Sequence, residues 1–143
     1  MSDLSRFGVS ADDGLLQSFD ALITRQGYAN RSEALRDLMR EALVKSKLET
    51  LAVETDEVLG SLTLVYDHHA KELADKMADL QHHHFDTVVS VLHVHVNHND
   101  CLEVIVLRGA LRQVRTLSDG LLSLKGVKYG ELFLTLPTNK IAK

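Results

Sequence analysis

The chain has 143 residues, 45% hydrophobic and 25% charged, which is ordinary globular composition and enough for one medium domain or two small ones. No apolar run approaches the ~20 residues of a bilayer crossing. The first residues, Met1 to Arg6, lack the basic start and apolar stretch of a secretion signal, and a lone Cys101 cannot close an internal disulfide. The expected compartment is the reducing cytoplasm, with no membrane partner. The net charge of −4 does not announce a nucleic-acid partner. Residues 1–47 carry seven basic and seven acidic side chains, so a DNA-binding face there must come from local arrangement.

In chain order, Ser5 to Ser10 reads as a short strand, with Phe7 and Val9 on one face and Arg6, Gly8 and Ser10 on the other. Asp12-Asp13 opens a helix whose acidic start suits the positive end of the dipole. Leu15, Leu16, Phe19, Leu22 and Ile23 give it one apolar stripe, and Gly27 terminates it. Asn30 caps a second helix, with Glu33 three residues on in a capping-box spacing, and its stripe is Leu35, Leu38, Met39, Ala42 and Leu43. A strand and two helices in some 45 residues are marginal as a lone core, and one short strand has two unpaired edges. Dimerisation solves both problems, pairing the strands antiparallel and sharing one four-helix core. This order resembles the ribbon-helix-helix family of DNA-binding proteins, in which a paired ribbon enters the major groove.

The polar stretch Lys45 to Asp56 leads to a second region. There the patterning predicts a strand at Val58–Tyr66, a helix at His68–Leu80 and a strand at Thr87–Asn97. An Asn99-Asp100 turn, a strand at Cys101–Arg108, a helix at Ala110–Lys125 and a strand at Tyr129–Leu136 follow. The expected fold class is therefore α+β: an N-terminal ribbon-helix-helix domain (βαα, an obligate dimer) over 1–47, a linker over 48–57, and a βαββαβ ferredoxin-like domain over 58–143. With both helices on one face of the sheet, the other face is left to bury against another subunit.

All eight histidines fall between His68 and His98, and Cys101 follows three residues later. On the strand Val91 to Asn97, alternation turns Leu92, Val94 and Val96 one way and sets His93 and His95 side by side on the other. The turn then returns the chain so that Cys101 comes near the same patch. His82-His83-His84 offers a further imidazole source. A thiolate with two or three imidazoles is too soft for Mg²⁺ or Ca²⁺ and leaves nickel, copper, zinc and cobalt open. His68, His69, His83 and His84 read individually as solvent or packing residues rather than ligands. A nucleophilic Cys101 with a histidine base lacks an orienting or oxyanion motif, so an enzyme acting on a small-molecule substrate is not expected.

The run His93-Val94-His95-Val96-Asn97-His98-Asn99-Asp100-Cys101-Leu102-Glu103, preceded by Gln81-His82-His83-His84, resembles the metal-binding signature of the nickel-responsive regulators, the NikR family. Gly27-Tyr28-Ala29-Asn30-Arg31-Ser32-Glu33-Ala34 is similar to that family's DNA-binding half. The resemblance implies a homotetramer, a dimer of dimers, holding one Ni(II) per subunit. Its planar site would be built by His93, His95 and Cys101 of one subunit and His82 of a neighbour. It further implies that the nickel-loaded protein binds a palindromic double-stranded operator and represses nickel-uptake genes. Arg6, Gly8 and Ser10 would face the bases, and Asn30, Arg31 and Ser32 the phosphates. Gly8 stands where relatives often carry a side chain able to reach a base, so the operator sequence does not carry over. Three alternatives remain at this stage: a sensor of zinc, cobalt or copper on the same fold, a ribbon-helix-helix antitoxin, and a metal storage protein. Regular patterning in the back half argues against the antitoxin's disordered tail, and the Arg6/Ser10 strand has no role in storage.

Overall fold

The computed structural model describes residues 3–50 and 57–137. The chain divides into two compact units, Met1–Ala42 and Leu43–Lys143.

In the first unit, α1 spans Asp13–Arg25, and α2 starts at Arg31 and continues to Thr50 in the second unit. Asp12 caps α1, its Oδ1 accepting from the Leu15 N–H at 2.9 Å. At the other end Gly27 takes φ +84°, a left-handed conformation that costs glycine nothing. The Tyr28 N–H then reaches the Ile23 carbonyl and the Gly27 N–H that of Thr24, a complete Schellman closure. Asn30 Oδ1 accepts from the Glu33 N–H at 2.9 Å, and Glu33 reaches back to the Ala29 N–H at 3.3 Å. The reciprocal cap thus closes on the residue before Asn30.

Ser5–Ser10 is exposed and forms no ladder. A strand requires partners for its N–H and C=O groups, and a single copy of this unit offers none. The apolar stripes are similarly open: Phe7, Val9, Leu15, Leu38 and Met39 are exposed, while Ile23 and Ala34 are buried. Residues 51–56, the middle of the expected linker over 48–57, lie outside the described residues.

The second unit is the expected βαββαβ: β1 Glu57–Asp67, α3 Leu73–His83, β2 Val88–His95, β3 Asp100–Ala110, α4 Leu111–Leu122 and β4 Val127–Thr135. The four strands form one antiparallel sheet in the order β2-β3-β1-β4. Period-2 alternation buries Val58, Leu62, Leu64 and Tyr66 of β1 and Cys101, Ile105 and Leu107 of β3 in one core, where Leu73 and Met77 of α3 and Val114, Leu117 and Leu121 of α4 pack. The opposite face exposes Leu92, Val94, Val106, Tyr129 and Phe133. One expectation is corrected. His68 does not begin a helix, because β1 runs on to Asp67, a turn follows, and α3 starts only at Leu73.

Gly130 shows how closely β4 approaches the helix layer. A Cβ there would collide with the Leu122 side chain and lie 3.0 Å from Leu64 Cβ. Gly130→Ala is therefore expected to destabilise the chain by about 1–3 kcal/mol through overpacking, read as a lower midpoint in urea with an unchanged slope.

Candidate metal centre

The centre is built on the β2–β3 hairpin. Register sets His95 opposite Cys101 and His93 opposite Glu103, so all four side chains leave the same face of the sheet. β3 is an inner strand, which buries Cys101 completely and Glu103 nearly so, whereas the edge strand β2 leaves both histidines exposed. The turn between them is pinned by Asn97, whose Oδ1 accepts from the N–H groups of Asn99 and Asp100 at 2.8 and 2.9 Å. Lys128 bonds Asp100, and with Asn97 it holds that carboxyl below its ordinary value.

Cys101 Sγ lies 3.6 Å from His95 Nδ1. His93 and His95 stand edge to face with ring centroids 4.9 Å apart. His93 Nδ1 is 3.0 Å from the Tyr66 hydroxyl and 3.9 Å from Glu103 Oε1. A His93 tautomer that donates Nδ1–H to Tyr66 presents Nε2 as a free ligand atom, the usual way a neighbour orients a metal-binding imidazole. Burial pushes the Tyr66 hydroxyl up to about 12, with Glu103 and Cys101 adding to it. It therefore remains protonated at neutral pH. Burial likewise raises Glu103, opposed by His93 and by a hydrogen bond from Gln81. Glu103 Oε2 has no hydrogen-bond partner among the described residues. The Gln81 contact brings the end of α3 beside this patch, and the exposed His82 is the next residue.

Of the four residues expected as ligands, three thus gather on one hairpin face within a single chain, and His82 stands on α3, exposed. His68 is the residue sequence reasoning passed over. Its Nδ1 lies 3.3 Å from Cys101 Sγ, and the ligand atoms of His68, His95 and Cys101 are all within 4.8 Å of one another. What marks it is strand register rather than a local pattern. Tyr66 pairs with Cys101, and two residues further along an extended chain the side chain returns to the same face. Reading His68 as the start of a helix concealed it.

These donors fit a borderline transition-metal ion. A buried sulfur faces imidazole nitrogens at separations close to the ~3.5 Å that one sulfur and one nitrogen ligand span around a tetrahedral ion, given metal–sulfur and metal–nitrogen bonds of about 2.3 and 2.0 Å. Binding by such ligands displaces protons, since imidazole must be neutral and the thiol deprotonated. Apparent metal affinity is therefore expected to fall steadily on acidification, as protons compete with the ion for the same ligand atoms. Competition titration against a chelator at each pH measures it, and a flat profile would contradict imidazole ligation.

In the first unit, Arg6, Gly8 and Ser10 are exposed, and a Cβ at Gly8 would meet nothing within 4 Å. Asn30, Arg31 and Ser32 are exposed at the start of α2. The Arg31 guanidinium makes a two-pronged bond to Asp20, at 2.8 and 2.7 Å, which lowers the Asp20 carboxyl.

Fold and site together define a metal-binding α+β protein with a ferredoxin-like domain. Residues 59–135 match the family described as the NikR C-terminal nickel-binding domain. A relative from Trichlorobacter lovleyi named a nickel-responsive regulator is 50% identical over 138 residues, 96% of this chain and 97% of its own. One of the same name from Geobacter sulfurreducens is 53% identical over 135 residues, 94% of this chain and 95% of its own. The chain belongs to the nickel-responsive regulator family. An uncharacterized Thermotoga maritima protein of known structure shares the fold, with a TM-score of 0.50 at 18% identity over 55% of this chain and 98% of that one. Among the described residues, no helix is long and apolar enough to cross a membrane.

Proposed function

We propose that this protein is a cytoplasmic, nickel-responsive transcriptional repressor. In this reading His93, His95 and Cys101 of one subunit and His82 of a neighbour hold one Ni(II) per subunit. The loaded homotetramer binds a palindromic double-stranded operator and silences nickel uptake. The observation that carries the reading is the buried Cys101 thiol with His95 across the ladder and the oriented His93 beside it. His93, His95 and Cys101 of one subunit with His82 of a neighbour would hold the ion, which would then tie the two subunits together.

The chain's own residues supply the rest. Tyr66 orients His93 and stays protonated, while the Asn97-pinned turn holds Cys101 in place. The exposed apolar sheet face, with Leu92, Val94, Tyr129 and Phe133, is suited to burial between subunits. Uncovered stripes in the first unit, with the unpaired Ser5–Ser10 segment, suit a ribbon dimer whose strands pair and whose helices share a core. Arg6, Gly8 and Ser10 then lie on the outer face of that ribbon, and Asn30, Arg31 and Ser32 begin a helix whose free N–H groups favour phosphate. A domain division at 1–47, 48–57 and 58–143 accompanies this reading. Regulation is linkage: only an ion bound more tightly in the DNA-competent arrangement can shift the population towards it. Two ribbon dimers on one operator add avidity.

The test is binding of the protein to the DNA upstream of nickel-uptake genes, measured with no metal and with each of nickel, cobalt, copper and zinc. Tight sequence-specific binding with nickel alone is the expected result. Equal binding without metal would overturn the regulatory reading.

A further inference from the structure

We infer that Asp20 is a brake on DNA binding, holding the Arg31 guanidinium by the fork it would otherwise turn to a phosphate. The inference rests on the proposed reading of the first unit as a DNA-binding domain, and it names a residue that sets how tightly that domain binds. Asp20 lies on α1 and Arg31 is the first residue of α2, so the pair spans the turn at Gly27. Arg31 Nε donates to Asp20 Oδ1 at 2.8 Å, and Nη2 donates to Oδ2 at 2.7 Å. Arginine grips a phosphate in the same two-pronged way, so one anion has to leave before the other takes that fork.

Charge and exposure make this exchange possible. The Arg31 bond holds the Asp20 carboxyl below its ordinary value, so at neutral pH it is an anion. A phosphate approaching Arg31 therefore meets a carboxylate that competes for the same N–H groups and repels it. The two side chains are 54% and 42% exposed, and an ion pair so open to water is weak enough to be exchanged. The start of α2 does not depend on Asp20. Asn30 Oδ1 accepts from the Glu33 N–H, and the Glu33 carboxylate accepts from the Ala29 N–H. Removing the Asp20 charge thus leaves the helix cap in place.

Phosphate contacts carry no sequence information, so the brake acts alike on an operator and on any other duplex. It lowers the absolute affinity of each ribbon dimer and leaves the preference between sequences to the ribbon. Weak binding by one dimer is what makes tight binding depend on two dimers engaging one operator together.

The experiment measures Kd by fluorescence anisotropy for the full-length wild type, Asp20→Asn, Arg31→Ala and the double variant. Each is titrated with excess nickel and with a chelator, on the DNA upstream of nickel-uptake genes and on a scrambled duplex. Circular dichroism and urea denaturation check the fold. Asp20→Asn is expected to bind both duplexes about threefold to tenfold more tightly than wild type, with the ratio between them unchanged. The gain should vanish when Arg31 is also replaced. Asp20→Ser, a second neutral variant, should show the same gain as Asp20→Asn. Unchanged binding by both neutral variants would overturn the inference, and so would weaker binding, which would make Asp20 a residue that positions Arg31. A gain that persists in full in the Arg31→Ala background would also overturn it, since the effect would then be one of general charge. Binding that ignores nickel, with a gain that still requires Arg31, would sink the regulatory reading and leave the brake standing. Absence of binding to either duplex by every protein would sink both.

Discussion

Cys101→Ala and His95→Ala are each expected to lower nickel affinity by roughly a hundredfold to a thousandfold and to remove the thiolate-to-nickel or planar signature. Four-ligand zinc sites bind with about 10–16 kcal/mol in small folded units, so one ligand is worth on the order of 3 kcal/mol or more. The two substitutions differ in their cost to the fold, and that difference is the control. Cys101 is fully buried in the core, so its truncation also removes packing, at about 1 kcal/mol. His95 is exposed on the edge strand, so His95→Ala should leave the denaturation midpoint of the metal-free protein nearly unchanged. A variant with wild-type stability and wild-type nickel absorption would remove His95 from the site. Nickel binding retained in both variants would remove the hairpin altogether.

Arg6→Ala is expected to erase the preference for operator over random DNA while nickel binding and subunit assembly stay normal. Arg6 is exposed in the segment whose alternation places it opposite Phe7 and Val9, the residues a paired ribbon would turn inward. Its guanidinium can donate two hydrogen bonds to a guanine edge, worth ~1–3 kcal/mol per base pair read, and the proposed symmetric assembly would repeat the loss at each half-site. Arg31→Ala should behave differently, weakening binding to all sequences alike and reducing the salt dependence by about one phosphate contact per site. Arg31 is already paired with Asp20 through two hydrogen bonds, so a phosphate has to draw it from that carboxylate. Gel-shift titrations of both variants on operator and scrambled DNA, at two salt concentrations, separate the two roles. Full operator preference in Arg6→Ala would mean that the ribbon is not the reading head.

Much of this was decided locally and is legible in the chain. Asp12, Gly27 and Asn30 set the helix ends because capping and left-handed turns depend on a few adjacent residues. The order βαββαβ followed from periodicity, and His93, His95 and Cys101 were placed together by alternation and one short turn. Tertiary structure decided what depends on register between distant strands. The pairing of Tyr66 with Cys101 carries His68 to the sulfur from 33 residues away, and it places the Tyr66 hydroxyl against His93. No local pattern marks such contacts, because a strand that overruns its apolar stretch by one residue looks in sequence like the start of the next helix. The converse case is Ser5–Ser10, whose alternation is plain but which forms no ladder in a single chain, because the other elements described in the first unit are helices and offer it no strand to pair with.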